Sequence, residues 1–140
     1  MVGVRWMDLL GSPYKLHGTG EDGYDCSSLA EVIVRRTGQD VPPTSPFRIP
    51  DSQGTAGEVE AYFDAMDKAY TKVGVKIHMA KYAGDLVLCS DEHGVPRGLF
   101  VLVEPNRGTF LTAHPTAGVV SMRRFAIKNI VGIYRARDAT

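Results

Sequence analysis

The sequence predicts an α+β domain in which N-terminal helices pack on a C-terminal antiparallel sheet. Three observations carry that expectation. Helical spacing of apolar residues is confined to the first half of the chain, and from Gly74 onward they come in short β-branched or apolar runs bounded by Gly, Pro, Asn or Asp. Strands clustered after helices, rather than alternating with them, point to an antiparallel sheet and not to repeated strand–helix–strand units. Finally, 140 residues with 44% hydrophobic content and no break in composition suffice for one core, so residues 1–140 are read as a single domain.

Residues 4–10 fit a short first helix stopped by Gly11 and Pro13. The stretch 15–23 holds Gly18, Gly20 and Gly23 and reads as a loop pressed against a neighbouring segment. A helix then starts at Cys26: Leu29, Val32 and Ile33 share a face, Arg35 and Arg36 form a cationic last turn, and Gly38 supplies the stop. Residues 41–57 are rich in Pro, Ser, Thr and Gly and read as a long surface loop framing a cleft. A second helix carries Val59, Tyr62, Phe63, Met66 and Tyr70 on one face. Six strands are expected over residues 75–79, 85–89, 99–103, 109–113, 119–122 and 131–134.

Charge and composition exclude several function classes. Lys+Arg and Asp+Glu are both 16, so no broad positive field speaks for nucleic acid. No run approaches the roughly 20 apolar residues of a membrane span. The first residues, Met1 to Asp8, lack the charged-then-apolar pattern of a secretory signal, which predicts synthesis in a cytoplasm without an export signal. Cys26 and Cys89 have no metal-ligand spacing and no disulfide framework, so both are expected as free thiols, with no metal and no cofactor.

The run Tyr24-Asp25-Cys26-Ser27-Ser28-Leu29 places a cysteine where a glycine-rich turn hands over to a helix. A thiolate there is favoured by the helix dipole and by free backbone donors, which is how a nucleophile is built. The dipole alone is too weak. It contributes about 0.3–1 kcal/mol where one pKa unit corresponds to about 1.4 kcal/mol, and Asp25 pushes the other way. A base is needed.

Together with Leu10-Gly11-Ser12-Pro13-Tyr14, the stretch Gly18 to Leu29, Val41-Pro42-Pro43-Thr44-Ser45, Gly84-Asp85-Leu86-Val87-Leu88 and Gly118-Val119-Val120-Ser121-Met122, this run resembles the NlpC/P60 family. These are papain-like cysteine peptidases that cut peptide bonds in bacterial cell-wall stems. The resemblance covers most of the chain, residues 48–82 excepted, and implies a papain-like fold with Cys26 as nucleophile. It also implies a substrate groove at Tyr24 and His17, where Asp25 offers a partner for a stem-peptide amine or a stabiliser of the helix start, and Ser27 a first-turn donor or cap. The family's base histidine falls near Gly98 and its second polar residue on Thr112, and neither position is a histidine.

Four histidines are candidates for a displaced base. His114 lies two residues beyond Thr112, on the same strand face but about 6.6 Å further along; a solvated strand-end histidine is the alternative. His17 precedes the nucleophile in the glycine-rich loop, where a groove wall is the alternative. His93 falls in a hairpin loop and His78 in the unmatched region, where a structural role is simplest.

A standalone domain of this size, with no secretory signal and no wall-binding repeat, is similar to the small NlpC/P60-type proteins of bacteriophage tails and gene transfer agents, which reach the wall as part of a particle. It therefore implies a tail-tip protein derived from a peptidase of peptidoglycan stem peptides, located in the virion with other tail-tip proteins as partners. The broken triad makes cleavage the weak point of that reading. The alternative is an active cell-wall endopeptidase using Cys26 with His114 or His17. Residues 41–57 and 73–82 are the expected docking segments.

Overall fold

A computed structural model of the protein describes residues 4–15, 18, 20, 22–39, 64, 66–91 and 96–136. Among these, helix α1 (Cys26–Arg36) lies against a sheet of six strands: β1 (Tyr70–Gly74), β2 (Leu86–Ser90), β3 (Pro96–Glu104), β4 (Thr109–His114), β5 (Gly118–Arg123) and β6 (Ile130–Ala136). The spatial order is β1-β6-β2-β3-β4-β5 and each pairing is antiparallel. The arrangement is α+β, as the clustering of strands after helices predicts.

Period-two alternation divides the sheet residues between two cores. Leu99 and Val101 of β3, Leu111 and Ala113 of β4 and Val119 of β5 face α1, where they bury Leu29, Ala30, Ile33 and Val34. Leu102, Phe110, Cys89, Val87 and Ile133 form the opposite core with Ala80 and Ile127, covered by Ile77, Met79, Phe100 and Ile130. Both faces of the sheet are therefore buried, and α1 is fixed to one of them.

Three expectations are corrected. The helix over residues 4–10 is a single 3-10 turn, Met7–Leu9, because so short a segment cannot offset the cost of helix nucleation. The strand over 75–79 is instead a 3-10 turn at Ile77–Met79, with Ile77 and Met79 covering the second core and His78 exposed. The partner edge of β6 is already taken by β1, whose first residue, Tyr70, is the one assigned to the helical stripe. Residues 64 and 66–69 of that second helix are helical and Met66 is fully buried, whereas Val59, Tyr62, Phe63 and the loop 41–57 lie outside the described residues.

The entry to β2 is held by a buried carboxylate. Asp85, 1% exposed, accepts from Arg135 Nε at 2.9 Å and Nη2 at 2.8 Å and from the backbone N–H groups of Lys81 at 2.9 Å and Tyr82 at 3.1 Å. The Arg135 guanidinium also lies 4.5 Å over the Tyr82 ring. One side chain thus ties the turn before β2 to β6. Removing it leaves a guanidinium and two amides without their acceptor, so Asp85→Ala should lower unfolding free energy by about 3–5 kcal/mol. Asp8→Ala, which breaks the exposed pair with Arg36, should cost a small fraction of that. Urea unfolding of both variants measures the contrast, and equal losses would contradict it.

Candidate active site

The backbone before Cys26 is set by close contacts. Gly23 sits at φ 143°, where a side chain would run into the Pro13 carbonyl, so this position requires glycine. Tyr24 N–H donates to Pro13 O at 3.0 Å and Lys15 N–H to Tyr24 O at 3.1 Å, which binds residues 13–15 alongside 23–24 and bridges Tyr14 to Tyr24. Asp25 then caps the helix: its carboxylate accepts from Ser28 N–H at 2.8 Å while its own N–H donates to Ser28 Oγ at 3.1 Å. This reciprocal cap seats Cys26 at the first position of α1.

Opposite Cys26, the sheet forks. The β3–β4 ladder runs from Glu104 opposite Thr109 to Val101 opposite Leu111. Two residues beyond Val101, the backbone of Leu99 turns to other partners: its carbonyl accepts from Thr112 Oγ1 at 3.0 Å, and its N–H donates toward the Cys26 sulfur. The amides of Cys26 and Ser27 act on the sulfur in the same sense. Three backbone donors therefore converge on one thiol.

They do not prevail. Burial pushes the Cys26 thiol up to about 12, with the Asp25 carboxylate as the second cause, against the smaller opposing pull of the three amides. Cys26 is partly exposed as a residue and packs against the core beneath α1. The proton stays on the sulfur at neutral pH. Tyr14 shares this environment, since its hydroxyl is raised first by burial and then by Cys26 and Asp25. Nothing in the sequence marks Tyr14 as a site residue; only its place beside the bridge to Tyr24 does.

The sequence-predicted residues separate into groups. Cys26, Tyr24, Asp25 and Ser27 are together at the start of α1, but Asp25 and Ser27 are 7% and 4% exposed, leaving Tyr24 and Cys26 as the partly exposed members. Thr112 reaches the fork through its bond to Leu99, yet alternation along β4 puts it with Phe110 on the face away from α1. The same parity applies to β3. A side chain at Gly98 would meet Phe100 and Cys89 of the far core, and the residue turned toward α1 is its neighbour Leu99.

His114 shares the face of Thr112, as the two-residue spacing predicts, and so falls on the side away from Cys26. Its Nδ1 accepts from the N–H groups of Thr116 and Ala117, both at 3.2 Å, and lies 3.0 Å from Thr116 Oγ1, so the ring closes its own turn. His78 is exposed on the 3-10 turn. His17 and His93 lie outside the described residues. Among the described residues no imidazole acts on the Cys26 thiol, and no group of three His, Cys, Asp or Glu side chains is placed to hold a metal ion. Cys89 is a free thiol buried on the far face. No described helix is long and apolar enough to cross a membrane.

Comparison with models of known protein families finds no match for this chain, and comparison with curated proteins finds no related sequence.

The buried thiols set an alkaline limit on stability. Cys26 and Cys89 are both pushed up to about 12 from an ordinary 9.0, chiefly by burial, and Tyr14, Tyr70 and Tyr134 are raised by the same cause. The folded protein holds these protons more tightly than the unfolded chain, so their contribution is intact below pH 9.0 and is lost as pH rises toward about 12. The urea midpoint should fall steadily across that window, and Cys26→Ala should flatten part of the slope. A midpoint that holds level across the window would contradict the assignment.

Proposed function

We propose that this chain is a non-cleaving domain of the NlpC/P60 type, descended from peptidases of peptidoglycan stem peptides and serving as a tail-tip component of a bacteriophage particle. The single observation that carries the loss of cleavage is the identity of the β3 residue turned toward the helix that bears Cys26: a leucine, Leu99, with no proton-accepting side chain. Support for the descent comes from a capped cysteine at a helix start, packed on an antiparallel sheet, and from the motifs around Gly23 and Gly84.

Acyl transfer through a cysteine needs a thiolate, an oxyanion site and an acid for the leaving amine. The amides of Cys26, Ser27 and Leu99 offer donors suited to a developing negative charge. The thiolate is missing, because burial and Asp25 hold the proton on the sulfur and no described group takes it. The described residues supply no acid for the leaving amine either. What remains is a peptide-binding surface at Tyr24 and Tyr14 beside an inert sulfur.

Purified peptidoglycan incubated with wild type and with Cys26→Ala should release no stem-peptide fragments in either case. Robust release abolished by Cys26→Ala would overturn this reading in favour of an active endopeptidase and direct attention to His17. The particle assignment has a separate check: the protein should co-purify with phage particles and leave them only under dissociating conditions. Recovery solely as free protein in lysates would contradict it.

A further inference from the structure

Far from Cys26 along the β4–β5 hairpin, the cations of this neutral chain stand apart from its acids. Elsewhere Arg36 pairs with Asp8, Arg35 with Glu31, Lys15 with Asp22 and Arg135 with Asp85. At the turn between β3 and β4 and at the end of β5, Arg107, Arg123 and Arg124 have no carboxylate partner among the described residues. They are held together by backbone. Arg123 Nη1 donates to Arg107 O at 3.0 Å, Arg124 N–H donates to Gly108 O at 3.0 Å, and the Arg124 side chain packs over Gly108 with its Nε buried and unbonded. Glu104, at the end of β3, makes no ion pair with them.

Two further features coincide there. Phe125, in the 3-10 turn that follows β5, is 83% exposed, the most exposed of the large apolar side chains among the described residues. Among the described residues, half of the sheet edge is also uncovered. β5 is an outermost strand, and Val119 uses its outward N–H and C=O on Ser12 O at 2.9 Å and Gly11 N–H at 3.0 Å. Antiparallel alternation turns the N–H and C=O of Ser121 and Arg123 to that same outer side, where no described group takes them. The N-terminal segment thus covers the first half of the edge and stops short of the arginines.

A charge on an edge strand is often only a guard against aggregation, and Arg123 alone fits that role. A guard does not call for an exposed aromatic ring beside it or for two more unpaired arginines. We propose that the open half of β5 docks an extended acidic segment of a partner protein, which adds a strand opposite Ser121 and Arg123, sets its carboxylates on Arg107, Arg123 and Arg124, and covers Phe125 with an apolar side chain. A polypeptide fits better than an anionic polymer because main-chain donors and acceptors and an apolar anchor are offered together with the charge. This surface goes beyond the reading of Cys26 and stands whether or not that cysteine reacts.

The test uses the full chain and a synthetic peptide of alternating glutamate and valine, with polyglutamate and polyphosphate as comparison probes. Binding of the alternating peptide should weaken with added salt and should protect the Ser121 and Arg123 amides from hydrogen exchange. Phe125→Ala and Arg123→Glu should each weaken it by about tenfold or more while leaving the circular dichroism spectrum unchanged. Cys26→Ala should bind like wild type. Absence of peptide binding, or binding that ignores Phe125→Ala, overturns the proposal. Equal binding of polyphosphate with no amide protection also overturns it and marks the patch as a general anion surface.

Discussion

The first turn of α1 is pinned at the fork between β3 and β4, and the rest of the site depends on that seating. The Asp25–Ser28 cap fixes where the helix begins, the glycine at position 23 lets residues 13–15 close over the approach, and Leu99 meets Cys26 with its backbone rather than with a side-chain base. Alternation along β3 and β4 then decides everything within reach of the sulfur. Leu99 and Ala113 face the helix, while Gly98, Thr112 and His114 do not.

The same seating explains why a cysteine at a helix start keeps its proton. Convergent amides favour a thiolate, and at an exposed helix start they would lower its pKa. Here the sulfur is packed between α1 and the sheet, so desolvation outweighs the amides, and the carboxylate that caps the helix adds repulsion. Asp25 therefore serves the fold at the expense of the thiolate. A nearby cation or imidazole would reverse that balance, and the described residues place neither there.

Much of the fold was legible from residue patterns. Five of the strands announce themselves as β-branched runs between turn residues, and α1 by its stripe and its stop at Gly38. Strand β1 was hidden because Tyr70 continues the helical stripe of Met66, so period alone assigns it to the helix. At the site, the cap, the place of Cys26 at the helix start and the opposing effect of Asp25 were readable locally. The magnitude of burial was not, since it depends on β3 and β4 arriving from about 75 residues away in sequence. Leu99 and Tyr14 were invisible as site residues: one acts through its backbone and the other through proximity. A one-residue offset separates Gly98 from Leu99, and in a strand that offset exchanges the two faces.

At the fork, the Cys26 thiol keeps its proton. The direct measurement is a pH titration of the cysteine Cβ carbon shift in protein labelled with carbon-13 at cysteine, with Cys89→Ala used to assign the signal. Cys26 should show no ionisation through neutral pH and up to about pH 9, consistent with a thiol pushed up to about 12. A titration with a midpoint at or below about pH 7.5, in the range of activated cysteines, would contradict it.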